Sequence, residues 1–242
     1  MNTNTLSWTQ FSDRKTLVHQ LADDIAENLS SAITRLGSAV IAVSGGSTPK
    51  PLFERLAELD IEWAKVIMTL VDERWVNEQH ELSNAAFLKR HLIDLLDDKP
   101  VFVPLYVGTE KVSESLELVL KEYCEKTKSS IQQIRPFDVV ILGLGNDGHT
   151  ASFFPDAANV AELVDPESDA KLISCISDSS QVMRVTWSLP MLLNTGSLIL
   201  HFTGQEKRRV FANALASNNS KQLPIGAVIR QSISPLNIYY AD

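Results

Sequence analysis

The sequence predicts an α/β protein built on a mostly parallel sheet with helices on both faces. Three observations predict it. Short, wholly apolar runs alternate with longer stretches of helical period; the apolar runs lack the polar alternation of a half-exposed sheet; and glycine-rich or charged turns follow the runs at their carboxyl ends. The 242 residues, 44% of them hydrophobic, supply enough apolar material for a large core without disulfide or metal staples. No repeat, low-complexity tract or linker divides them, so the expectation is a single domain over residues 1–242.

The elements follow in order. Leu17, Leu21, Ile25, Leu29, Ile33 and Leu36 recur at helical spacing, and Gly37 stands where a helix C-cap falls. Ala39–Val43 is the first core strand. Thr48–Leu59 reads as a helix with Pro49 in its first turn, and Val66–Val71 as the second strand. A helix over Ser83–Leu96 precedes a strand near Val101–Leu105, and Lys111–Lys126 is helical again. Phe137–Leu142 is the next strand and Leu172–Ile176 a weaker one. Leu198–Phe202 is followed by a helix over Gln205–Leu215. In such sheets ligands bind beyond the carboxyl ends of the strands.

Composition excludes several function classes. A formal net charge of -8 is wrong for a protein that coats nucleic acid, which needs surplus Lys and Arg. An anionic ligand must therefore find a locally positive pocket. Cys124 and Cys175 stand far apart with no Cys/His cluster, which predicts two unpaired thiols and no metal site. The first fifteen residues lack a basic region followed by an apolar core, and no apolar run approaches the roughly 18 residues of a membrane span. The expectation is a cytoplasmic protein.

Four stretches carry candidate chemistry. Ser44-Gly45-Gly46-Ser47-Thr48-Pro49 joins a strand to a helix. Its glycines can turn several N–H groups toward one space at a helix N-terminus, which suits a phosphate. It is neither a Walker A loop nor a serine-hydrolase elbow, and a plain turn with Thr48 as helix cap reads equally well. Asp72-Glu73-Arg74 ends the second strand; it is either a solvated loop or a site for Arg74, a permanently charged planar fork suited to phosphate or a developing oxyanion.

The third stretch, Gly143-Leu144-Gly145-Asn146-Asp147-Gly148-His149, matches the dinucleotide pattern G-x-G-x-x-G. That pattern usually opens the first strand of its domain and leads into a helix, whereas this one comes late and meets Pro155 within two turns. Asp147 and His149 on a glycine-rich loop are better read as a catalytic pair, since imidazole exchanges protons near neutrality and a carboxylate can orient it. The fourth stretch holds two cations, Arg184 and Lys207. Each suits a substrate phosphate, and each equally suits a surface position.

Taken together, Ser44 to Pro49, Asp72-Glu73-Arg74, Ser83-Asn84, Gly143 to Ser152 and Arg184-Val185-Thr186 resemble the 6-phosphogluconolactonase family, in order and over nearly the whole chain. That family shares a superfamily with glucosamine-6-phosphate isomerase/deaminase. The resemblance implies a modified Rossmann-like fold that does not use NAD, no metal or organic cofactor, and hydrolysis of 6-phospho-D-glucono-1,5-lactone in the pentose phosphate pathway. The partner it implies is a small sugar-phosphate lactone, with no nucleic acid and no membrane; oligomeric state is left open.

Carried over by position, His149 would activate water with Asp147 in support, and Arg74, as a catalytic cation, would with Arg184 and Lys207 answer the substrate's negative charge, the division between phosphate and lactone oxygen being left open. Ser44, Gly45, Gly46, Ser47, Thr48, Asp72, Asn84, Arg184 and Lys207 would bind substrate. The related deaminases carry a catalytic Glu just before the loop proline, where this chain has Phe154. Two rival readings stay open: the isomerase/deaminase, and a sugar-phosphate-binding module without catalysis.

Overall fold

Two strands set the centre of the molecule, β2 (Ala39–Val43) and β3 (Val66–Leu70), and every residue of both is buried. Burial of both faces is the structural meaning of their unbroken apolar runs. In the computed structural model, which describes residues 6–109 and 111–242, they belong to a seven-stranded sheet in the order β1-β10-β9-β6-β2-β3-β5. The other strands are β1 (Leu6–Gln10), β5 (Val101–Val103), β6 (Phe137–Leu142), β9 (Thr195–Thr203) and β10 (Leu236–Ala241). All of its pairings are parallel.

The helices between them are α1 (Arg14–Leu36), α2 (Lys50–Ala57), α3 (Asn84–His91), α4 (Val112–Thr127), α5 (Val160–Leu163), α6 (Leu189–Leu193), α7 (Gln205–Ala216) and α8 (Ile225–Arg230). Crossovers through α1, α2 and α3 step toward β5, and those through α4 and α7 step back toward β1. Right-handed connections in opposite directions put their helices on opposite faces, so the sheet is covered on both. Accordingly α1 packs on α2, α2 on α3, and α7 on α8.

Local chemistry explains the long first helix. The Asp13 carboxylate accepts the Thr16 N–H at 2.8 Å, and Gly37 takes φ 79° and returns its N–H to Ile33 O at 2.8 Å. Other helices are shorter than their periodicity predicts. The one expected over Thr48–Leu59 begins at Lys50; Pro49 occupies its N-cap and no side chain caps it, so Thr48 is not the helix cap. The one expected over Ser83–Leu96 breaks at Leu92, where φ −140° and ψ −66° leave helical space, and resumes only as a 3-10 turn over Ile93–Leu95.

A second, antiparallel sheet in the order β4-β8-β7 forms from β4 (Asp72–Arg74), β8 (Arg184–Trp187) and β7 (Leu172–Cys175). The weak strand expected near Leu172 therefore exists but lies outside the main sheet. Val71 is the point of departure: its N–H bonds to Val43 O in β2 at 2.9 Å, while its carbonyl accepts from Trp187 N at 3.1 Å in β8. Asp72-Glu73-Arg74, one reading of which was a solvated loop, is thus a short paired strand. Among the described residues no helix is long and apolar enough to cross a membrane.

Candidate active site

β2 and β6 are neighbours, yet the chain leaves β2 toward one edge of the sheet and β6 toward the other. The loops after such a pair diverge and leave a crevice at the carboxyl ends of the strands. A cavity of about 430 Å³ opens there. Its wall includes all twelve candidate residues: Ser44, Gly45, Gly46, Ser47, Thr48, Asp72, Arg74, Asn84, Asp147, His149, Arg184 and Lys207.

The loop after β6 is shaped around the imidazole. His149 Nδ1 lies 2.5 Å from Asp147 Oδ1, and the same oxygen accepts the His149 backbone N–H at 3.1 Å. An ionised carboxylate only accepts, so Nδ1 carries the proton and Nε2 keeps its lone pair for other work. Burial raises the pKa of Asp147, but the hydrogen bonds from His149, and the charge of that ring when it is protonated, outweigh burial and hold the carboxyl below its ordinary value. Gly145 N donates to His149 O at 2.8 Å and closes the turn. A Cβ on Gly145 would lie 2.2 Å from His149 Nδ1 and 2.6 Å from Asp147 Oδ1, so this glycine exists to let the pair approach. No helix starts at Gly148; the next one is α5, at Val160. The helix N-terminus that a pyrophosphate would need is missing from this loop.

Phe154 stacks on His149 with ring centroids 4.4 Å apart, and the Arg184 guanidinium lies 4.8 Å from the centre of the same Phe154 ring. The position before Pro155 therefore presents an aromatic face to the imidazole.

The antiparallel sheet brings the two arginines together. The β4–β8 register sets Arg74 directly opposite Arg184 and Asp72 opposite Thr186. Asp72, 5% exposed, accepts from Ser152 Oγ at 2.6 Å and from Arg184 Nη1 at 3.3 Å. Burial lowers the Arg184 pKa, with Asp72 opposing that shift. Arg74 Nη1 donates to Leu82 O at 2.6 Å. The Nε atoms of both arginines are buried without a hydrogen-bond partner, while both side chains line the cavity.

On the other wall, Ser44 ties the two loops together. Its hydroxyl donates to Ile141 O at 2.9 Å and accepts from Gly143 N at 3.2 Å, so both its functions are engaged within the protein. Asn84 Nδ2 donates to Asp72 O at 3.0 Å, and a Cβ on Gly45 would lie 2.1 Å from Asn84 Oδ1. Lys207, in the first turn of α7, is half-buried, and that burial lowers its pKa.

Several lining residues carry no signal in the sequence reading. Ser179 and Ser180 reach the cavity from the β7–β8 loop, held by Ser179 N–H to Asp156 Oδ2 at 2.7 Å. His201, on β9, is 2% exposed and borders the cavity beside Ser47 and Thr48; burial, then the Lys207 charge, push its pKa down to about 4. Among the described residues no group of three or more His, Cys, Asp or Glu is placed to hold a metal ion.

The family model described as glucosamine-6-phosphate isomerases/6-phosphogluconolactonase matches residues 12–236. The chain is 38% identical to a 6-phosphogluconolactonase of Rhizobium meliloti, over 96% of this chain and 97% of that one. It is 38% identical to another from Mesorhizobium japonicum, over 100% and 98% of the two. A crystal structure of a 6-phosphogluconolactonase from Shewanella baltica superposes with a TM-score of 0.90 at 32% identity, covering 100% of both chains.

Proposed function

Since the chain belongs to the glucosamine-6-phosphate isomerase/6-phosphogluconolactonase family, we propose that it hydrolyses 6-phospho-D-glucono-1,5-lactone to 6-phosphogluconate, with His149 as the base that activates water. The observation that carries this reading is the Asp147–His149 pair facing a cavity that also holds Arg74, Arg184 and Lys207. A δ-lactone is an activated ester, so a positioned base and a cationic site suffice and no covalent nucleophile is required.

In the proposed mechanism Nε2 of His149 takes a proton from water as the water oxygen attacks C1. The carbonyl π-pair moves onto oxygen, giving a tetrahedral oxyanion. Arg184, beside the same Phe154 ring as His149, and Arg74 across the register from it, meet that negative charge. As the intermediate collapses, the C1–ring oxygen bond breaks and the imidazolium returns its proton to the departing ring oxygen. Asp147 fixes the tautomer and stabilises the transient cation.

The phosphate belongs at the opposite end of the substrate. Lys207 and the backbone of Gly45, Gly46, Ser47 and Thr48 supply charge and N–H groups there; the electrostatic influence of Lys207 on His201, a neighbour of Ser47 and Thr48, supports their sharing a wall. Asp72 and Asn84 face the sugar between. The whole chain serves as one domain, and a soluble sugar phosphate as substrate fits a cytoplasmic enzyme.

The isomerase/deaminase reading is disfavoured by Phe154. Ring opening and isomerisation need more proton-transfer groups than lactone hydrolysis, and a phenyl ring supplies none. The test is to generate the lactone with a glucose-6-phosphate dehydrogenase and follow its disappearance, beside an assay of ammonia release from glucosamine 6-phosphate. Lactone loss well above the spontaneous rate with no ammonia is expected; lactone loss at the spontaneous rate would support the binding module instead.

A further inference from the structure

Glu73 is the one member of Asp72-Glu73-Arg74 that does not face the cavity. Strand alternation sends Asp72 and Arg74 to the cavity side and Glu73 to the other, where it is 1% exposed. A carboxylate that far from water is costly unless its oxygens are saturated with donors. They are: Oε1 accepts the N–H groups of Arg74 at 2.7 Å and Asn84 at 2.8 Å, and Oε2 accepts Ala85 N–H at 2.7 Å and Ser83 Oγ–H at 3.3 Å. Three of these donors belong to the first turn of α3 and its cap, so one side chain joins β4 to the end of a helix about ten residues away in sequence.

What those bonds hold is the cavity wall. The Arg74 and Asn84 amides are gripped by a single oxygen, and both side chains then enter the cavity: Arg74 toward Arg184, Asn84 onto Gly45. The segment between them, residues 75–82, is irregular and is held by Trp75 N–H on Met183 O, by Arg74 Nη1 on Leu82 O and by the Lys89–Glu78 ion pair, so the Glu73 carboxylate is the group that fixes the backbone at both of its ends. We propose that Glu73 is a positioning residue for lactone hydrolysis, its buried carboxylate setting from behind the cavity wall where the Arg74 guanidinium and the Asn84 amide stand. This inference rests on the lactonase reading of the site.

A pH dependence accompanies this geometry. Burial raises the Glu73 pKa, opposed by the Asn84, Ala85 and Arg74 amides, while Asp72 on the same strand adds to the rise. Protonation would turn one acceptor oxygen into a donor facing N–H groups, and the clamp would loosen.

The experiment is a double-mutant cycle on kcat/KM for the lactone, using wild type, Glu73→Gln, Arg74→Ala and the pair, each corrected for its folded fraction by circular dichroism. Glu73→Gln should lower kcat/KM about tenfold in the wild-type background and less than about threefold once Arg74 is alanine, because then its chief client is gone. A purely architectural role would give the same factor in both backgrounds, and that result, or wild-type kcat/KM in Glu73→Gln, would overturn the inference. If Glu73→Gln folds too poorly to assay, Glu73→Asp keeps the charge while drawing the oxygens back; the same non-additivity is expected at smaller amplitude, and additive costs would again overturn it. Absence of lactone turnover in the wild type itself would remove the lactonase reading and this inference together, whereas turnover with additive costs removes only the role of Glu73.

Discussion

Replacing His149 with alanine should lower kcat by about 10² to 10⁴, the usual worth of a general acid–base group, and leave binding of 6-phosphogluconate nearly unchanged. The loss falls on kcat because water needs its base only as the C1–O bond forms; the cations and glycine loop that hold the sugar phosphate remain in place. Folding should survive, since the His149 side chain is about one-third exposed (32%) and its ring serves the cavity rather than the core. Steady-state kinetics with a product-inhibition constant separates the two quantities. An unchanged kcat would remove the imidazole from the mechanism, and a lost product affinity with intact kcat would make His149 a binding residue.

Gly145→Ala should be nearly as damaging although it deletes no functional group. The added methyl would stand 2.2 Å from Nδ1 and 2.3 Å from Cε1 of His149 and 2.6 Å from Asp147 Oδ1, so the pair must part or the turn must open. The turn resists, because Gly145 N–H closes it onto His149 O and Gly145 O accepts Gly148 N–H at 3.1 Å. A misplaced base of this kind costs about 10² in rate even without loss of chemistry. The expected result is a kcat drop of about that size with an unchanged melting temperature to within a few degrees. Wild-type kcat in Gly145→Ala would mean that the close approach of Asp147 to His149 does not matter for turnover. The contrast with Gly143 is informative, since a Cβ there meets nothing within 4 Å and Gly143→Ala should leave the Asp147–His149 pair in place.

The central half of the fold was legible because it rests on local chemistry. Ala39–Val43 and Phe137–Leu142 announce themselves as apolar runs, and α1 is bounded by Asp13 and Gly37, whose capping bonds are made within four residues. The cavity residues were legible for a related reason: strand ends in a parallel sheet converge, and the motifs sit at strand ends.

What escaped depends on long-range pairing. Leu6–Gln10 forms an edge strand by pairing with Leu236–Ala241, some 230 residues away, and it is largely exposed, so no buried run marks it. The pairing of Arg74 with Arg184 arises from a register that no spacing rule contains. Glu73 between two cavity residues looks like one more solvated charge until the end of α3 is folded against it. Ser44 reads as a ligand hydroxyl in sequence, and the link it also makes between the loops after β2 and β6 depends on long-range pairing that no spacing shows. His201 is invisible for the opposite reason, being a polar residue inside an apolar strand that gives no motif.

The most direct test of His149 as the base is a crystal structure with 6-phosphogluconate in the cavity. The C1 carboxyl group should lie within hydrogen-bond reach of His149 Nε2, about 3 Å directly or through one water, with the phosphate at Lys207 and the glycine loop. A product bound the other way round, with its phosphate on the imidazole and C1 at Lys207, would contradict it.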